Sequence, residues 1–426
     1  MIGLALAIGF IGVVEIFKGI SNPENALKFP FLVSLVWLLW ILPQALGIYQ
    51  NQDASEELLF RTFAMTLLCL ICCIWGFHAA KSRRIDFVKS IDFGKLKWYA
   101  IGSIIFGAFF HVMLRNMGDE LESTNWSGKT VAYLFLSQPL FYGGILAISL
   151  YLRKSDSVLL ITGLMALGVV LLVALVGGRR GGMIQFVFAT ICVLYFVRSY
   201  LIPRALIILS IPVAAIFVNG IGIYRSAVYE GTTTAENFSI SESFRRVGTG
   251  LDAVAERYDE LLIPKDYYEV LNATMLMESA DNSGIMDFGT DLWDHLVHQF
   301  FPGQLFGYEN KKSLQFQWYT MAMINSNHQV ASGSTMTGMF DAYLSFRWFG
   351  GIKFFLIGFV MRIFWNSASN GDLLGQIAYG CLVRASLEGV THSTSQFFMA
   401  VINFMLLFGL GVCVISWIHA KTVKGY

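Results

Sequence analysis

The sequence predicts an all-α polytopic membrane protein, with about eleven transmembrane helices and one large extracytoplasmic segment of short helices. Composition supports this class: 55% of the 426 residues are hydrophobic and only 14% are charged, with a mean hydropathy of +0.59. Soluble domains carry about 25% charged residues. Repeated apolar runs in the chain are also long enough to cross a bilayer as helices.

Eleven apolar runs are spaced along the chain as transmembrane helices would be. They cover approximately residues 2–17, 29–49, 58–80, 98–114, 130–151, 157–176, 182–198, 202–222, 349–365, 373–388 and 397–418. The first lacks the basic leader and cleavage site of a signal peptide, so we expect it to be retained. The chain then divides into residues 1–223 with helices one to eight, residues 224–338 with the extracytoplasmic segment, and residues 339–426 with a re-entrant segment and helices nine to eleven.

The charges of the short connections predict an orientation. Connections on one side are basic, as in Lys81–Lys97, whereas those on the other side are acidic, as in Asp53–Glu57. Because Lys and Arg accumulate on the cytoplasmic side, residues 224–338 are assigned to the outside. Two stretches of this segment, Ser241–Ile263 and Asp291–Phe301, have apolar residues at helical spacing, which favours short surface helices over a separate domain.

Several function classes lack support in the sequence. A net charge of +1 without a basic tail gives no sign of nucleic-acid binding. All six cysteines lie inside apolar runs as small hydrophobic residues, so no disulfide is expected. No P-loop, GxSxG or HExxH pattern is present, so nothing indicates nucleotide hydrolysis or a zinc protease.

The first candidate site is Gly177-Gly178-Arg179-Arg180-Gly181-Gly182, a turn between the sixth and seventh runs on the predicted outer side. Two arginines there are unusual, because outer loops are normally poor in Lys and Arg. The N-terminus of the seventh helix would offer free N–H groups, and Arg adds planar paired donors for phosphate oxygens. The turn therefore predicts an anion site, the alternative being two arginines that reach lipid headgroups.

Arg384 lies well inside the tenth predicted span, where a charge costs at least ~2.5–3.5 kcal/mol on insertion scales and usually faces a polar cavity or a partner. Glu388 follows on the same helical face, so a purely structural ion pair is the alternative. Arg225 lies where the eighth span leaves the membrane, level with the Gly177–Gly182 turn, and Arg246 lies in the outer segment.

Four histidines also fall on the predicted outer side. His295 and His298 could share a helical face as a metal pair, but no third ligand stands at a recognisable spacing, so no metal is predicted. His328 precedes a Gly/Ser/Thr-rich stretch, and His392 follows the tenth span close to Arg384. Each of the last two is a candidate base or hydrogen-bond donor to a hydroxyl, the alternative being a solvated loop histidine.

This layout resembles the Wzy-type O-antigen or oligosaccharide repeat-unit polymerases of bacterial envelopes. The Gly177–Gly182 turn after six spans and the long outer segment after span eight carry the resemblance. Phe301-Pro302-Gly-Gln-Leu, followed by Lys311-Lys312-Ser, is similar to a proline-then-lysine stretch of that segment. Gly338–Gly351 is similar to a re-entrant helix followed by a Phe-Gly turn. An Arg-x10-Gly pattern of family loops occurs at Arg347–Gly358, although its glycine falls inside a span.

The resemblance implies a membrane-embedded glycosyltransferase of the GT-C type in lipopolysaccharide or related polysaccharide biosynthesis. It would act on the periplasmic face of the bacterial inner membrane on polyprenyl-diphosphate-linked (undecaprenyl diphosphate) glycans, among membrane lipids. No cofactor is implied: neither a nucleotide sugar nor a metal is needed. A chain-length regulator stays open as a further partner, and nucleic acid is not expected.

In this mechanism the growing glycan leaves its diphosphate, and a hydroxyl of the next repeat unit attacks the anomeric carbon. Negative charge develops on the departing diphosphate, where preorganised arginines stabilise it. The residues assigned to diphosphate binding are Arg179 and Arg180, with Arg225, Arg246 or Arg384. The candidates for the base are His328, His392, Asp341 and Glu388.

Two other functions fit the sequence. A ligase of the same superfamily would move the finished glycan from the polyprenyl carrier to another acceptor. A transporter of polysaccharide or lipid-linked glycans would use Arg384 and Glu388 as a proton-coupled pair, although such folds often contain internal repeats and none is evident here.

Overall fold

The computed structural model describes residues 1–88, 90–117, 129–176, 180–214, 252, 268–301, 303–325, 328–330 and 334–424. The structure is 84% helix, and no strand occurs among these residues. Nine of the helices described are long and apolar enough to cross a membrane. The chain thus has the all-helical membrane architecture that its composition predicts.

The helices of the first half of the chain are α1 (Ile2–Ser21), α2 (Phe29–Asn51), α3 (Glu56–Ala79), α4 (Phe93–Arg115), α5 (Lys129–Lys154), α6 (Ser157–Val176), α7 (Arg180–Arg198) and α8 (Arg204–Ala214). Those of the second half are α9 (Tyr268–Ser283), α10 (Thr290–Phe300), α11 (Gly303–Phe306), α12 (Tyr308–Ser313), α13 (Trp318–Ile324), α14 (Thr337–Phe346), α15 (Gly351–Ser369), α16 (Leu373–Thr391) and α17 (Thr394–Thr422).

Nine of the eleven predicted spans coincide with helices long and apolar enough to cross a membrane, counted over the described ranges. The prediction for residues 202–222 is covered only by α8, and its remainder lies outside the described residues. Residues 373–388 do form a helix, α16, but it is less apolar than the nine. Most of α16 is buried by the surrounding protein, so it does not need a lipid-facing surface.

The connections between the long helices lie at two ends of the bundle. At the first, which we call the basic end, residues 22–28, 80–88 and 370–372 meet. The Val88 N–H donates to Asp372 Oδ2 at 2.7 Å, and Asn366 Nδ2 donates to the Arg83 carbonyl at 2.7 Å. The name reflects the Lys and Arg residues of these connections.

The opposite end, which we call the cap end, carries the short helices α9–α13. Helix α9 lies on the ends of α2 and α3: the Val270 N–H donates to Gln44 Oε1 at 3.1 Å, and Thr62 Oγ1 donates to Thr274 Oγ1 at 3.1 Å. Arg61 on α3 also forms an ion pair with Asp281. Among the described residues of the 224–338 segment, short helices thus cover this end of the bundle, and one of them, α10, coincides with the predicted amphipathic stretch Asp291–Phe301.

The chain reverses direction between α14 and α15. Lys353 Nζ lies 2.7 Å from Asp341 Oδ1, although twelve residues of straight helix would separate their backbones by ~18 Å. The reversal occurs at Arg347–Gly350, where Arg347 has a φ of 52° and a β-carbon on Gly350 would lie 1.9 Å from the Ala342 carbonyl oxygen. Helices α14 and α15 thus form a tight helical hairpin, and the assignment of this region as a re-entrant segment stays a prediction.

Helices α3 and α15 approach each other closely through two glycines. A β-carbon on Gly76 would lie 2.0 Å from the Phe355 carbonyl oxygen, and one on Gly358 would lie 2.0 Å from the Cys73 carbonyl oxygen. Small residues allow such close backbone contact between membrane helices. The contact fixes α15, which carries Lys353, against the centre of the bundle.

We expect Gly358→Ala to destabilise the protein by about 1–3 kcal/mol, because the added methyl group has no space between α3 and α15. The measurement is thermal unfolding of the purified protein in detergent. Gly168→Ala on α6 is the matched control, since nothing lies within 4 Å of a β-carbon there, and it should leave the melting temperature unchanged or raise it. Equal melting temperatures for both variants would contradict this account of the packing.

Candidate functional site

A cavity of about 600 Å³ lies at the cap end of the bundle, between α4, α5, α6, α7, α10, α16 and α17. Its polar lining residues are His111, Arg115, Ser137, Gln138, Gln185, His295, Gln299, Arg384, Glu388, Gln396 and Asn403. The rest of the lining is mostly apolar and includes Val131, Phe135, Val173 and Met399. The cavity therefore offers both hydrogen-bonding groups and a surface for hydrocarbon.

Arg384 and Glu388 face this cavity from α16. Arg384 Nε lies 2.7 Å from Glu388 Oε1, and its Nη1 donates to Gln185 Oε1 on α7 at 3.1 Å. A β-carbon on Gly181 would lie 2.5 Å from Arg384 Nε, so the guanidinium group rests against the backbone of the first turn of α7. The structure thus brings the end of the Gly177–Gly182 turn together with Arg384, two features that the sequence singled out separately.

His295 lies in the wall of the same cavity, on α10, and is held by Asp291. His295 Nδ1 lies 3.3 Å from Asp291 Oδ1 and 2.9 Å from the Asp291 carbonyl oxygen. Burial alone would lower the pKa of His295, but the hydrogen bond and negative charge of Asp291 outweigh it and raise the pKa to about 9. At neutral pH the ring is therefore protonated and contributes a positive charge to the cavity wall.

A buried polar network lies behind this wall. Asp341 is fully buried, and its Oδ2 accepts hydrogen bonds from the Thr394 N–H at 2.8 Å and from the Thr394 hydroxyl. Asp291 Oδ2 accepts a hydrogen bond from the Ser395 hydroxyl at 2.6 Å. The Ser393 hydroxyl lies 3.3 Å from Asp341 Oδ2 and 3.4 Å from Asp291 Oδ2, so it joins the two carboxylates. The first residues of α17 thus connect the Lys353–Asp341 pair to His295.

Asp287 is a third buried carboxyl group near this network. Its Oδ1 accepts a hydrogen bond from the Gly289 N–H at 2.8 Å. Burial raises the pKa of Asp287, and the charge of Lys353 offsets this only in part.

The structure describes only some of the arginines that the sequence predicts to bind diphosphate. Arg384 lines the cavity, as described above. Arg180 is the first residue of α7, but its side chain is not described, and Arg179, Arg225 and Arg246 lie outside the described residues. Their assignment to diphosphate binding therefore stays a prediction.

The candidate bases are not brought together. Glu388 lines the cavity, whereas His328 lies in a separate pocket with Glu278, where its Nε2 donates a hydrogen bond to Asn272 Oδ1 at 2.7 Å. His392 is exposed in the turn after α16, with its Nδ1 2.8 Å from the Thr391 hydroxyl.

Asp341 is a poor candidate for the base. It is 0% exposed, and both of its oxygens are engaged by Lys353 or by the start of α17. A base must come within hydrogen-bond reach of the proton that it removes, and a sugar hydroxyl has no access to this carboxylate. Of the four predicted bases, only Glu388 is a lining residue of the cavity.

Comparison with protein-family models, with curated proteins and with solved structures gave no match. The resemblance to the Wzy-type polymerases therefore depends on the sequence features alone.

The sequence does not single out several of the residues that line the cavity. Gln185, Gln299 and Asn403 are neutral polar residues without a local signal, and Gln299 Nε2 donates to Asn403 Oδ1 at 3.0 Å across α10 and α17. The sequence singles out His295 only as a possible metal ligand, although its spacing from Asp291 indicates an i,i+4 pair. No group of three His, Cys, Asp or Glu side chains in the described part of the chain is arranged to hold a metal.

We expect Lys353→Met to destabilise the protein by about 3–5 kcal/mol, because it leaves Asp341 buried without its cationic partner. The double variant Asp341→Asn with Lys353→Met should be more stable than Lys353→Met alone. Thermal unfolding in detergent measures both. In the control, Lys97→Met breaks the partly exposed Lys97–Asp156 pair and should cost no more than about 1 kcal/mol. Similar losses for Lys353→Met and Lys97→Met would contradict a structural role for the buried pair.

Proposed function

We propose that this protein polymerises polyprenyl-diphosphate-linked oligosaccharide repeat units, of the O-antigen or a related surface-polysaccharide type, on the outer face of the bacterial inner membrane. The observation that carries the proposal is the convergence of Arg384, Arg115 and protonated His295 on one cavity inside the helix bundle. The cap end would then face the periplasm, in agreement with the basic residues at the other end.

The charges of the cavity favour an anionic ligand. Among the described lining residues, two arginines and His295 face a single carboxylate, Glu388, and Asp291 offsets part of the His295 charge from behind. The N-terminus of α7, at Gly181 and Gly182, adds a partial positive charge beside Arg384. A diphosphate supplies the negative charge and the acceptor oxygens that this arrangement lacks.

The apolar part of the lining favours a ligand with a hydrocarbon chain. Residues such as Val131, Phe135 and Val173 come from α5 and α6, which are among the helices apolar enough to cross a membrane. A polyprenyl diphosphate would place its phosphates at Arg384 and its hydrocarbon chain along such residues. A water-soluble nucleotide sugar would gain nothing from this surface.

The proposed reaction breaks the bond between the anomeric carbon of the growing glycan and its diphosphate oxygen. A hydroxyl oxygen of the next lipid-linked repeat unit forms the new glycosidic bond and loses its proton. Arg384 and His295 stabilise the negative charge of the departing polyprenyl diphosphate, while Glu388 is the carboxylate placed to accept the proton. A glycan one or more repeat units longer then remains on the acceptor lipid.

Arg179, Arg180, Arg225 and Arg246 belong to the same proposal as additional diphosphate-binding residues. The support for Arg180 is its position at the start of α7, next to Gly181, whose backbone contacts Arg384. His328 and His392 are assigned no role in the chemistry, since neither is a lining residue of the cavity.

We expect Arg384→Ala to slow glycan elongation about 10²–10³-fold, the usual cost of losing one preorganised donor to developing negative charge. Arg384→Lys should recover only part of the activity, because a single ammonium group cannot replace the planar, paired donors of arginine. The measurement is the ladder of glycan lengths formed by purified protein from lipid-linked repeat units in detergent.

Arg83→Ala is the control for this series, since Arg83 is exposed at the basic end of the bundle. It should give the wild-type ladder. If Arg384→Ala also gives the wild-type ladder, the cavity is not the site of glycan elongation.

We expect activity to fall as the pH rises through about 9, because His295 loses its proton there. The pKa of this histidine is raised, so its charge is fully present below the ordinary value of 6.5 and is lost above the raised value. Asp291→Asn should move this alkaline loss to lower pH, toward 6.5, since the carboxylate that raises the pKa is gone. The measurement is the initial elongation rate between pH 6 and about 10.

His298→Gln is the matched control, because His298 lies on the same helix but not in the cavity lining. This variant should lose elongation activity at the same alkaline pH as the wild type. An identical pH profile for wild type and Asp291→Asn would contradict the role of protonated His295.

The elongation assay also separates the alternatives. A ligase would transfer the glycan to another acceptor without lengthening it on the lipid. A transporter would produce no new glycosidic bond in detergent, where no gradient exists. Elongation by the purified protein without a gradient excludes the transporter.

A further inference from the structure

A second pocket of about 320 Å³ lies at the basic end, far from the cavity along the bundle. It is formed where α1 and α3 end, α2 begins and α15 passes. The charged residues that line it are four cations, Lys18, Lys28, Lys81 and Arg362, and a single carboxylate, Glu15. His78 lines the pocket as well. The proposed reaction uses none of these residues.

The carboxylates near the pocket do not neutralise all of these cations. Lys18 Nζ lies 2.5 Å from Glu15 Oε1, and Lys28 Nζ lies 2.7 Å from Glu24 Oε1 at the edge of the pocket. Lys81 and Arg362 take part in no ion pair among the described residues. The pocket therefore carries two cations in excess of its carboxylates.

Arg362 points to the kind of ligand. Its guanidinium group lies over the Phe77 ring, with 4.9 Å from the guanidinium carbon to the ring centre. Its Nε is buried, and no acceptor for that N–H is present among the described residues. A buried donor without an acceptor is unfavourable, and a bound oxygen anion would supply the acceptor. Arginine with several lysines is the donor set that recognises phosphate.

The position of the pocket in the bundle indicates that its ligand is amphiphilic. Helix α1 lies at the edge of the bundle, with an apolar stripe at Leu6, Phe10 and Phe17 that is 68%, 70% and 67% exposed. In a membrane this stripe contacts hydrocarbon, so the end of α1 brings the pocket to the boundary between protein and lipid headgroups. Basic pockets between membrane helices at this level bind phosphate-bearing headgroups.

We propose that this pocket binds the phosphate group of an anionic phospholipid, with Arg362 and Lys81 as the principal donors. The headgroup phosphate supplies the acceptor for Arg362, and the acyl chains extend along the lipid-exposed side of the bundle. Free phosphate shares the same chemistry without the acyl chains, and the experiment distinguishes the two sources. The proposal does not depend on the function proposed for the cavity at the other end.

The test measures the melting temperature of the purified full-length protein in detergent while one of three probes is added. These are phosphatidylglycerol, phosphatidylcholine and inorganic phosphate. Wild type should be stabilised by phosphatidylglycerol and much less by phosphatidylcholine. Arg362→Gln and Lys81→Gln should each weaken the apparent affinity for phosphatidylglycerol by about tenfold or more, as the loss of a charge-assisted hydrogen bond requires.

Arg83→Gln is the matched control, since it removes an exposed cation close to the pocket that does not line it, and it should keep the wild-type affinity. Arg362→Lys keeps the charge and should recover part of the binding, which separates loss of the site from loss of the fold. If inorganic phosphate stabilises wild type as strongly as phosphatidylglycerol does, and Arg362→Gln abolishes this, the site belongs to free phosphate and the lipid assignment is wrong. Equal responses of wild type, Arg362→Gln and Lys81→Gln to phosphatidylglycerol would overturn the site itself.

Discussion

A lysine inside a membrane protein is tolerated only with an anionic partner, and Lys353 has one in Asp341, 2.7 Å away. This pairing requires the chain to reverse between α14 and α15, because a straight helix would hold the two residues far apart. Asp341 then fixes the start of α17 through Thr394, and the neighbouring serines reach Asp291 and so His295. The partner that Lys353 requires, Asp341, is thus connected through hydrogen bonds to Asp291, and Asp291 holds His295 in the cavity wall.

Much of the fold can be read from hydrophobic runs, because the lipid-facing surface of a helix must be apolar along its whole length. Helix α16 shows the limit of this signal: other helices surround it, so its polar residues face protein and its hydropathy is lower. In the 224–338 segment, the prediction of a helix at Asp291–Phe301 is confirmed by α10, Thr290–Phe300, because its amphipathic pattern is local. The second predicted helix there, Ser241–Ile263, lies almost wholly outside the described residues.

The candidate site was predictable in part. Arg384 and Glu388 stand out because a charge within an apolar run is visible in the sequence, and Lys353 gives the same signal. Gln185, Gln299 and Asn403 could not be found in this way, since neutral polar residues are common in membrane helices and their meeting depends on tertiary packing. The positive charge of His295 depends on the carboxylate one helical turn away and on their shared burial, which composition and hydropathy do not report.

The contact between Arg384 and Glu388 has a consequence for which anions can enter the cavity. The carboxylate is attached to the same helix one turn away, so its local concentration beside the guanidinium group is always high. A chloride ion would have to compete with this built-in anion and brings only one negative charge. A multivalent anion can contact Arg384, His295 and the N-terminus of α7 together and so gains more than Glu388 provides. Under the proposed function, the ion pair therefore favours a diphosphate over a monovalent anion at Arg384.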